Sequence, residues 1–102
     1  MNQYATKIWK YDSDNLSAIQ FEFLNGSSIY YYPERKEWFG VDKHHEPINP
    51  KKVDVLKKKH KLMEETQNIL SDYASNMTKY SDGWWHAMMA LRIFNDEERN
   101  ER

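Results

Sequence analysis

Four histidines and the carboxylates near them are the side chains best suited to chemistry in this sequence. His44-His45-Glu46 form one cluster, and His60 with Glu64 a second, since residues four apart lie on one face of a helix. Imidazole and carboxylate are ligand types for zinc, but adjacent histidines in an extended segment point to opposite sides, and no third ligand follows at a fixed spacing. The expectation is therefore no metal. His86 follows Trp84 and Trp85 and reads as a partly buried, hydrogen-bonded side chain rather than a base.

Nucleophilic catalysis lacks its pattern as well. No Gly-x-Ser-x-Gly elbow occurs, and nothing ties a hydroxyl to a histidine and a carboxylate. Asp12 and Asp14 are paired carboxylates, yet they sit in a turn sequence, where aspartate is favoured for bonding its own backbone. Gly26, Gly40 and Gly83 are too dispersed to cradle a phosphate. With Cys 0, disulfides, thiolate nucleophiles and thiolate metal sites are excluded together. These residues predict a protein that is not an enzyme and takes no cofactor.

What remains are residues suited to binding. Lys51, Lys52, Lys57, Lys58, Lys59 and Lys61 crowd one stretch. A helix beginning at Asn49-Pro50 and running on to residue 80 would hold them in its first turns, the end at which the macrodipole disfavours cations. Placement against that preference points to an anionic partner; a solvated lysine face is the plain alternative. Tyr30-Tyr31-Tyr32 and Trp38-Phe39 alternate across a sheet, and the register decides whether Tyr31, or Tyr30 and Tyr32, face the core. The binding residues expected are Tyr30, Tyr31, Tyr32, Trp38, Trp84 and Trp85 as anchors, with Lys57, Lys58, Lys59 and Lys61 steering toward an acidic partner.

The elements that must position these residues follow from periodicity. From Tyr4 to Val41 the pattern has period two, broken by turn chemistry at Asp12-Ser13-Asp14-Asn15, Asn25-Gly26 and Pro33-Glu34-Arg35-Lys36. Four short strands are predicted over residues 1–41. Asn-Gly is the strongest short hairpin signal because both residues tolerate positive φ. Ile19, Phe21 and Phe23 share one face of the second strand, and Gln20 and Glu22 the other.

A loop over 42–49 leads to Asn49, a capping residue, and Pro50, at home in the first helical position. Val55, Leu62 and Ile69, with Leu56, Met63, Leu70 and Met77, recur every seven residues and predict the core-facing stripe of one long helix over 50–80. Lys59, Thr66 and Tyr73 do not extend that stripe, so a coiled coil is not expected. Ser81 can cap a shorter helix over 81–95, whose broad apolar face carries Trp84, Trp85, Met88, Met89 and Leu91, with Ile93 and Phe94 after them. Residues 96–102 read as a polar tail. The predicted fold is α+β, a four-stranded antiparallel meander followed by two helices, one long and one shorter, in a single domain.

At 102 residues the chain supports one modest core. No run reaches the ~18–20 apolar residues that cross a bilayer, and the first residues lack the pattern of a secretory signal, so a cytoplasmic protein is expected. The Asn-x-Ser/Thr triplets at Asn15, Asn25 and Asn76 are then read as chance. The net charge of −1 divides into −2 over residues 1–49, +3 over 50–80 and −2 over 81–102. That is neither the basic excess of a nucleic-acid domain nor the acidic excess of a DNA mimic. A mean hydropathy of −1.00 would suit a disordered chain. Trp 4, Tyr 7 and Phe 4 argue instead for a folded one. Lysine outnumbers arginine 11 to 4, beside 8 asparagines and 6 isoleucines, a composition typical of AT-rich coding sequences that fits many phage and mobile-element genes and many bacterial ones as well.

The function expected is a small non-enzymatic protein-binding module. Its most specific form is an inhibitor from a phage or mobile element that occupies a surface of a larger host protein or ribonucleoprotein, in the host cytoplasm. A nucleic-acid-binding domain using helix lysines and sheet aromatics is the second expectation, and a self-associating structural protein the third.

Overall fold

The computed structural model of the chain describes residues 3–11 and 15–100, excepting the side chains of residues 93 and 97–100. The expected turn at Asp12-Ser13-Asp14 and the last two residues of the expected tail lie outside the described residues. Strands β1 (Tyr4–Lys10), β2 (Leu16–Phe23), β3 (Ser28–Tyr32) and β4 (Glu37–Val41) are followed by helices α1 (Pro50–Lys59), α2 (Leu62–Ser75) and α3 (Asp82–Asn100). The sheet is an antiparallel meander in chain order, β1-β2-β3-β4, as the period-two pattern predicts.

Residues 24–27 turn β2 into β3. Gly26 takes φ of +92°, and Asn25 Oδ1 accepts from both the backbone N–H (2.9 Å) and the hydroxyl (2.6 Å) of Ser27. The register that follows pairs Ile19 with Tyr31 and Phe21 with Ile29. Side chains alternate along a strand, so Tyr31 faces the core and Tyr30 and Tyr32 face the other way. At the far end of the β1–β2 pair the register shifts between Trp9 and Lys10, so that Lys10 pairs with Leu16. The extra residue turns Leu16 into the core, where unbroken alternation from Ile19 would send it out. Beyond β4, Pro47 forms an isolated bridge with Val41.

All three helices cover the same face of the sheet. Val53 of α1, Leu62, Leu70, Tyr73 and Ala74 of α2, and Ala87, Ala90 and Phe94 of α3 join Ile19, Phe21, Ile29 and Tyr31 in one buried cluster. The Phe94 ring meets the rings of Tyr31 at 5.4 Å and Trp38 at 6.4 Å, which ties the helical layer to the middle of the sheet. Gly40 lets α1 come close: a Cβ there would stand 2.8 Å from Val53 Cγ2 and 3.3 Å from Ile48 Cβ.

The helical half departs from expectation in three places. Asn49 does cap, its Oδ1 accepting the Lys51 N–H at 2.9 Å with Pro50 behind it, but the helix ends at Lys59. Lys61 is left-handed (φ 53°, ψ 43°), so the single long helix is replaced by two. The seven-residue recurrence ran through the break: Leu62 and Leu70 are buried and Leu56, Met63, Ile69 and Met77 pack against the core as it predicts, but Val55 is 62% exposed, and α1 buries Val53 and Lys57. In α2 the buried positions are Leu62, Thr66, Leu70, Tyr73 and Ala74, a helical stripe that includes the Thr66 and Tyr73 left out of the heptad. Third, α3 continues through the expected start of the polar tail as far as Asn100. Ser81 accepts at its N-terminus, from the Trp84 N–H at the hydroxyl (3.2 Å) and from the Trp85 N–H at the carbonyl (3.0 Å).

Two expected outcomes test this layout. Glycine has no Cβ to resist the left-handed region, so Lys61→Gly is expected to stabilise the fold by roughly 0.5–1 kcal/mol, whereas Lys61→Val should destabilise it by more than about 1 kcal/mol, both read from urea midpoints. Thr66 is fully buried, and among the described residues its hydroxyl has no hydrogen-bond partner. Thr66→Val keeps the shape, removes the desolvated hydroxyl, and should raise stability by about 1 kcal/mol; a loss instead would mean that the hydroxyl is satisfied in solution.

Candidate functional site

Three of the expected binding residues turn inward. Tyr31 is fully buried, correcting its assignment as an anchor. Trp38 is half-buried, its ring 4.9 Å from that of Tyr31 and stacked 6.4 Å from that of Phe21. Lys57 is only 7% exposed. Its ammonium lies 4.7 Å from the centre of the Trp38 ring and 3.5 Å from Asp54 Oδ1. The two side chains thus occupy each other, a cation on an aromatic face at the rim of the core, and Lys57 is not free to steer a partner.

Lys58, Lys59 and Lys61 are exposed as expected, but the argument for their placement reverses. Because α1 ends at Lys59, Lys57, Lys58 and Lys59 form its last turn, where the macrodipole favours cations. Their position therefore has a structural cause and no longer points by itself to an anion.

The remaining anchors fall on two surfaces. On the uncovered face of the sheet, Tyr30 and Tyr32 are half-buried with rings stacked at 6.0 Å, and Arg35 sits 5.8 Å from the Tyr32 ring. Burial, then the neighbouring Tyr30, pushes the Tyr32 hydroxyl above its ordinary value, with Arg35 acting against them. Trp9 and Phe39, both exposed, complete the row. Trp9 Nε1 donates to Gln20 Oε1 at 2.8 Å and Gln20 Nε2 to Ser28 Oγ at 2.9 Å, a chain that satisfies the buried Gln20 amide. Lys7 and Glu22 pair beside it at 3.2 Å, too exposed to add much.

The second surface is the start of α3. Trp84 and Trp85 lie edge to face at 4.8 Å, and Tyr80, just before the helix, approaches both rings at 5.1 Å and 6.1 Å. Trp84 is half-buried, while Trp85 is 52% exposed, Tyr80 65% and Met89 51%, with Met88 exposed beside them. A groove of about 320 Å³ separates Trp85, His86 and Met89 from Pro33 and Glu34 in the β3–β4 turn. Tyr11 closes one side of this region, its ring perpendicular to that of His86 with centres 6.3 Å apart, and its hydroxyl donating to Glu34 Oε1 at 2.5 Å. His86 is partly buried as expected, but among the described residues its Nε2 has no hydrogen-bond partner. Sequence reasoning passed over Trp9, Tyr11 and Tyr80. For Tyr80 the signal was present, four residues before Trp84.

The histidine clusters do not assemble a ligand set. Among the described residues no group of three or more His, Asp or Glu side chains is placed to hold a metal ion. In the 42–49 loop, Asp42 Oδ1 accepts the backbone N–H groups of His44 (2.8 Å) and Glu46 (3.0 Å), and these bonds hold its carboxyl below the usual carboxylate range. His60 packs its ring 4.8 Å from Phe23 and 6.2 Å from Tyr4. Among the described residues no helix is long and apolar enough to cross a membrane.

Compared with known proteins, the chain matches no family model, no curated protein and no solved structure. Any reading of its function therefore stands on the geometry above.

One pH dependence follows from it. Burial, then the ammonium of Lys59, lowers the His60 imidazole below its ordinary 6.5. The unfolded chain takes up that proton more readily than the folded one, so stability present above about pH 6.5 is lost as the pH falls through the folded value. The thermal midpoint is expected to drop between about pH 7 and about pH 5 by more in the natural protein than in His60→Gln, and parallel profiles would remove His60 as the cause.

Proposed function

We propose that the protein is a small non-enzymatic protein-binding module, in its most specific form an inhibitor from a phage or mobile element that occupies a surface of a larger host complex in the host cytoplasm. The observation that carries this reading is the contiguous exposed patch of Tyr80, Trp85, Met88 and Met89 around Trp84, beside the groove at Pro33 and Glu34.

The patch lies on a helix whose other side is already committed to the core through Ala87, Ala90 and Phe94. It is therefore surplus to folding, and a contiguous apolar surface of that kind marks a binding site. Aromatic residues and methionine are enriched at interface cores because they bury large areas. Methionine also adapts its shape to irregular partners. The rings of Tyr80, Trp84 and Trp85 restrain one another by contact, so less side-chain freedom is lost on binding. Tyr30 and Tyr32, on the uncovered sheet face, extend the available surface, and Lys58, Lys59 and Lys61 contribute long-range attraction to an acidic partner.

Binding of nucleic acid is second because the lysine run has a cause in the helix dipole and Lys7, the lysine on the uncovered sheet face, is paired with Glu22. The test is affinity capture from cells that carry the gene, with nuclease and at high salt, using the natural protein beside Trp85→Ala/Met89→Ala. A stoichiometric protein partner is expected on the natural bait, with the double variant weakened at least about 30-fold while its unfolding midpoint stays unchanged. Loss of binding that tracks loss of folding would sink the proposal. So would retention of nucleic acid that vanishes with salt, or a dimer in sedimentation that Trp85→Glu dissociates.

A further inference from the structure

A second groove lies at the opposite end of β3, where the 24–27 turn, the 42–48 loop and α1 converge around a space of about 530 Å³. Its lining joins two chemistries. Leu24, Ile48 and Leu56 supply an aliphatic wall, and Lys43, Lys52 and Lys59 surround it with charge.

The arrangement has a simple origin in the sequence. Lys52, Leu56 and Lys59 fall at i, i+4 and i+7 of α1, one stripe of the helix, while Val53 and Lys57 take the face toward the core. The opposite wall is fixed by backbone. A Cβ on Gly26 would stand 3.1 Å from Lys43 Cβ, so the hairpin turn and the loop are in close contact. The loop itself is closed by the Asp42 N–H donating to the Glu46 carbonyl at 2.8 Å and by the two N–H groups on the Asp42 carboxylate.

The charge in this groove is in excess, three lysines against one carboxylate. Among the described residues, Lys43, Lys52 and Lys59 have no carboxylate within 4.0 Å. Asp42 is the carboxylate among the lining residues, and its Oδ1 is already held by the loop. Three unpaired ammonium groups around one preformed aliphatic slot attract an anion that also carries an aliphatic group. The rings present do not suit a nucleobase: Phe23 is buried and in contact with His60, and there is no arginine in the lining to stack on a base.

We infer that this groove is a docking site for an acidic peptide segment of a partner protein, seated by one aliphatic side chain against Leu24, Ile48 and Leu56 and held by Lys43, Lys52 and Lys59. It shares no residue with the α3 patch and only Lys59 with the reading above, so it goes beyond that reading, and Lys43 and Lys52 test it separately.

The test is a fluorescence-polarisation titration of the full chain with a labelled nonapeptide of glutamate and aspartate bearing one central leucine, followed in parallel by amide NMR. Saturable binding is expected, with shifts concentrated at Leu24, Asn25, Lys43 and Lys52. Lys52→Glu/Lys59→Glu should weaken it at least about tenfold, and so should Lys43→Glu, which alters no helix. Lys36→Glu, exposed in the β3–β4 turn at the other end of β3, should leave it within about threefold, and replacing the peptide's leucine by serine should weaken it. Absence of saturation would overturn the proposal, as would an equal loss with Lys36→Glu. Tighter binding of a ten-nucleotide single-stranded DNA at the same salt would also overturn it, assigning the groove to phosphate.

Discussion

Lys61 holds the left-handed conformation between the last turn of α1 and the first turn of α2, and the placement of the helical layer follows from it. A helix continued straight from residue 50 would leave the sheet after a few turns. The break instead keeps α1 against β4 through Val53 and Gly40, and frees α2 to lay Leu62, Thr66, Leu70 and Tyr73 into the core. It also creates two helix ends where the sequence pattern suggested none. Lysines 57–59 close one dipole and Glu64 and Glu65 open the next, so each run of charge sits where the backbone favours it.

That charge switch shows how much of the fold was legible beforehand. The strands could be read because aromatic and β-branched residues alternate from Tyr4 to Val41, and because Asn25-Gly26 admits little other than a tight turn. The helix break could not be read from a breaker residue, since His60-Lys61 contains neither glycine nor proline, and the seven-residue recurrence of apolar positions bridged it. Lys-Lys-Lys followed closely by Glu-Glu was the available sign of an end and a beginning. Thr66 illustrates a second gap: a polar residue was kept out of the expected core, although its position on α2 buries it whatever its chemistry.

The candidate surfaces were legible in part, for a related reason. Trp84 and Trp85 announce themselves by being adjacent large rings on one helix that cannot both face inward. Tyr30, Tyr31 and Tyr32 could be divided into one buried and two outward rings only once the pairing of Ile19 with Tyr31 was known. The contact of Lys57 with Trp38 joins residues from α1 and β4, and no spacing along the chain encodes it. Both had been expected on the surface for their residue type alone. The result is a molecule with an aromatic end beside the β3–β4 turn and a cationic, aliphatic end beside the β2–β3 turn. A net charge of −1 conceals that polarity.

The irregularities at the two margins of the sheet bear on how the protein meets other chains. Among the described residues β1 is an edge strand, and an open edge is how sheets recruit foreign strands and begin to aggregate. Lys7 and Lys10 and the register shift after Trp9 make that margin charged and uneven. At the other margin, Pro47 bridges Val41 and brings a residue with no N–H to offer. A fifth strand is thus discouraged on both sides, and recognition is left to side chains on the faces and ends of the molecule rather than to edge-to-edge growth of the sheet.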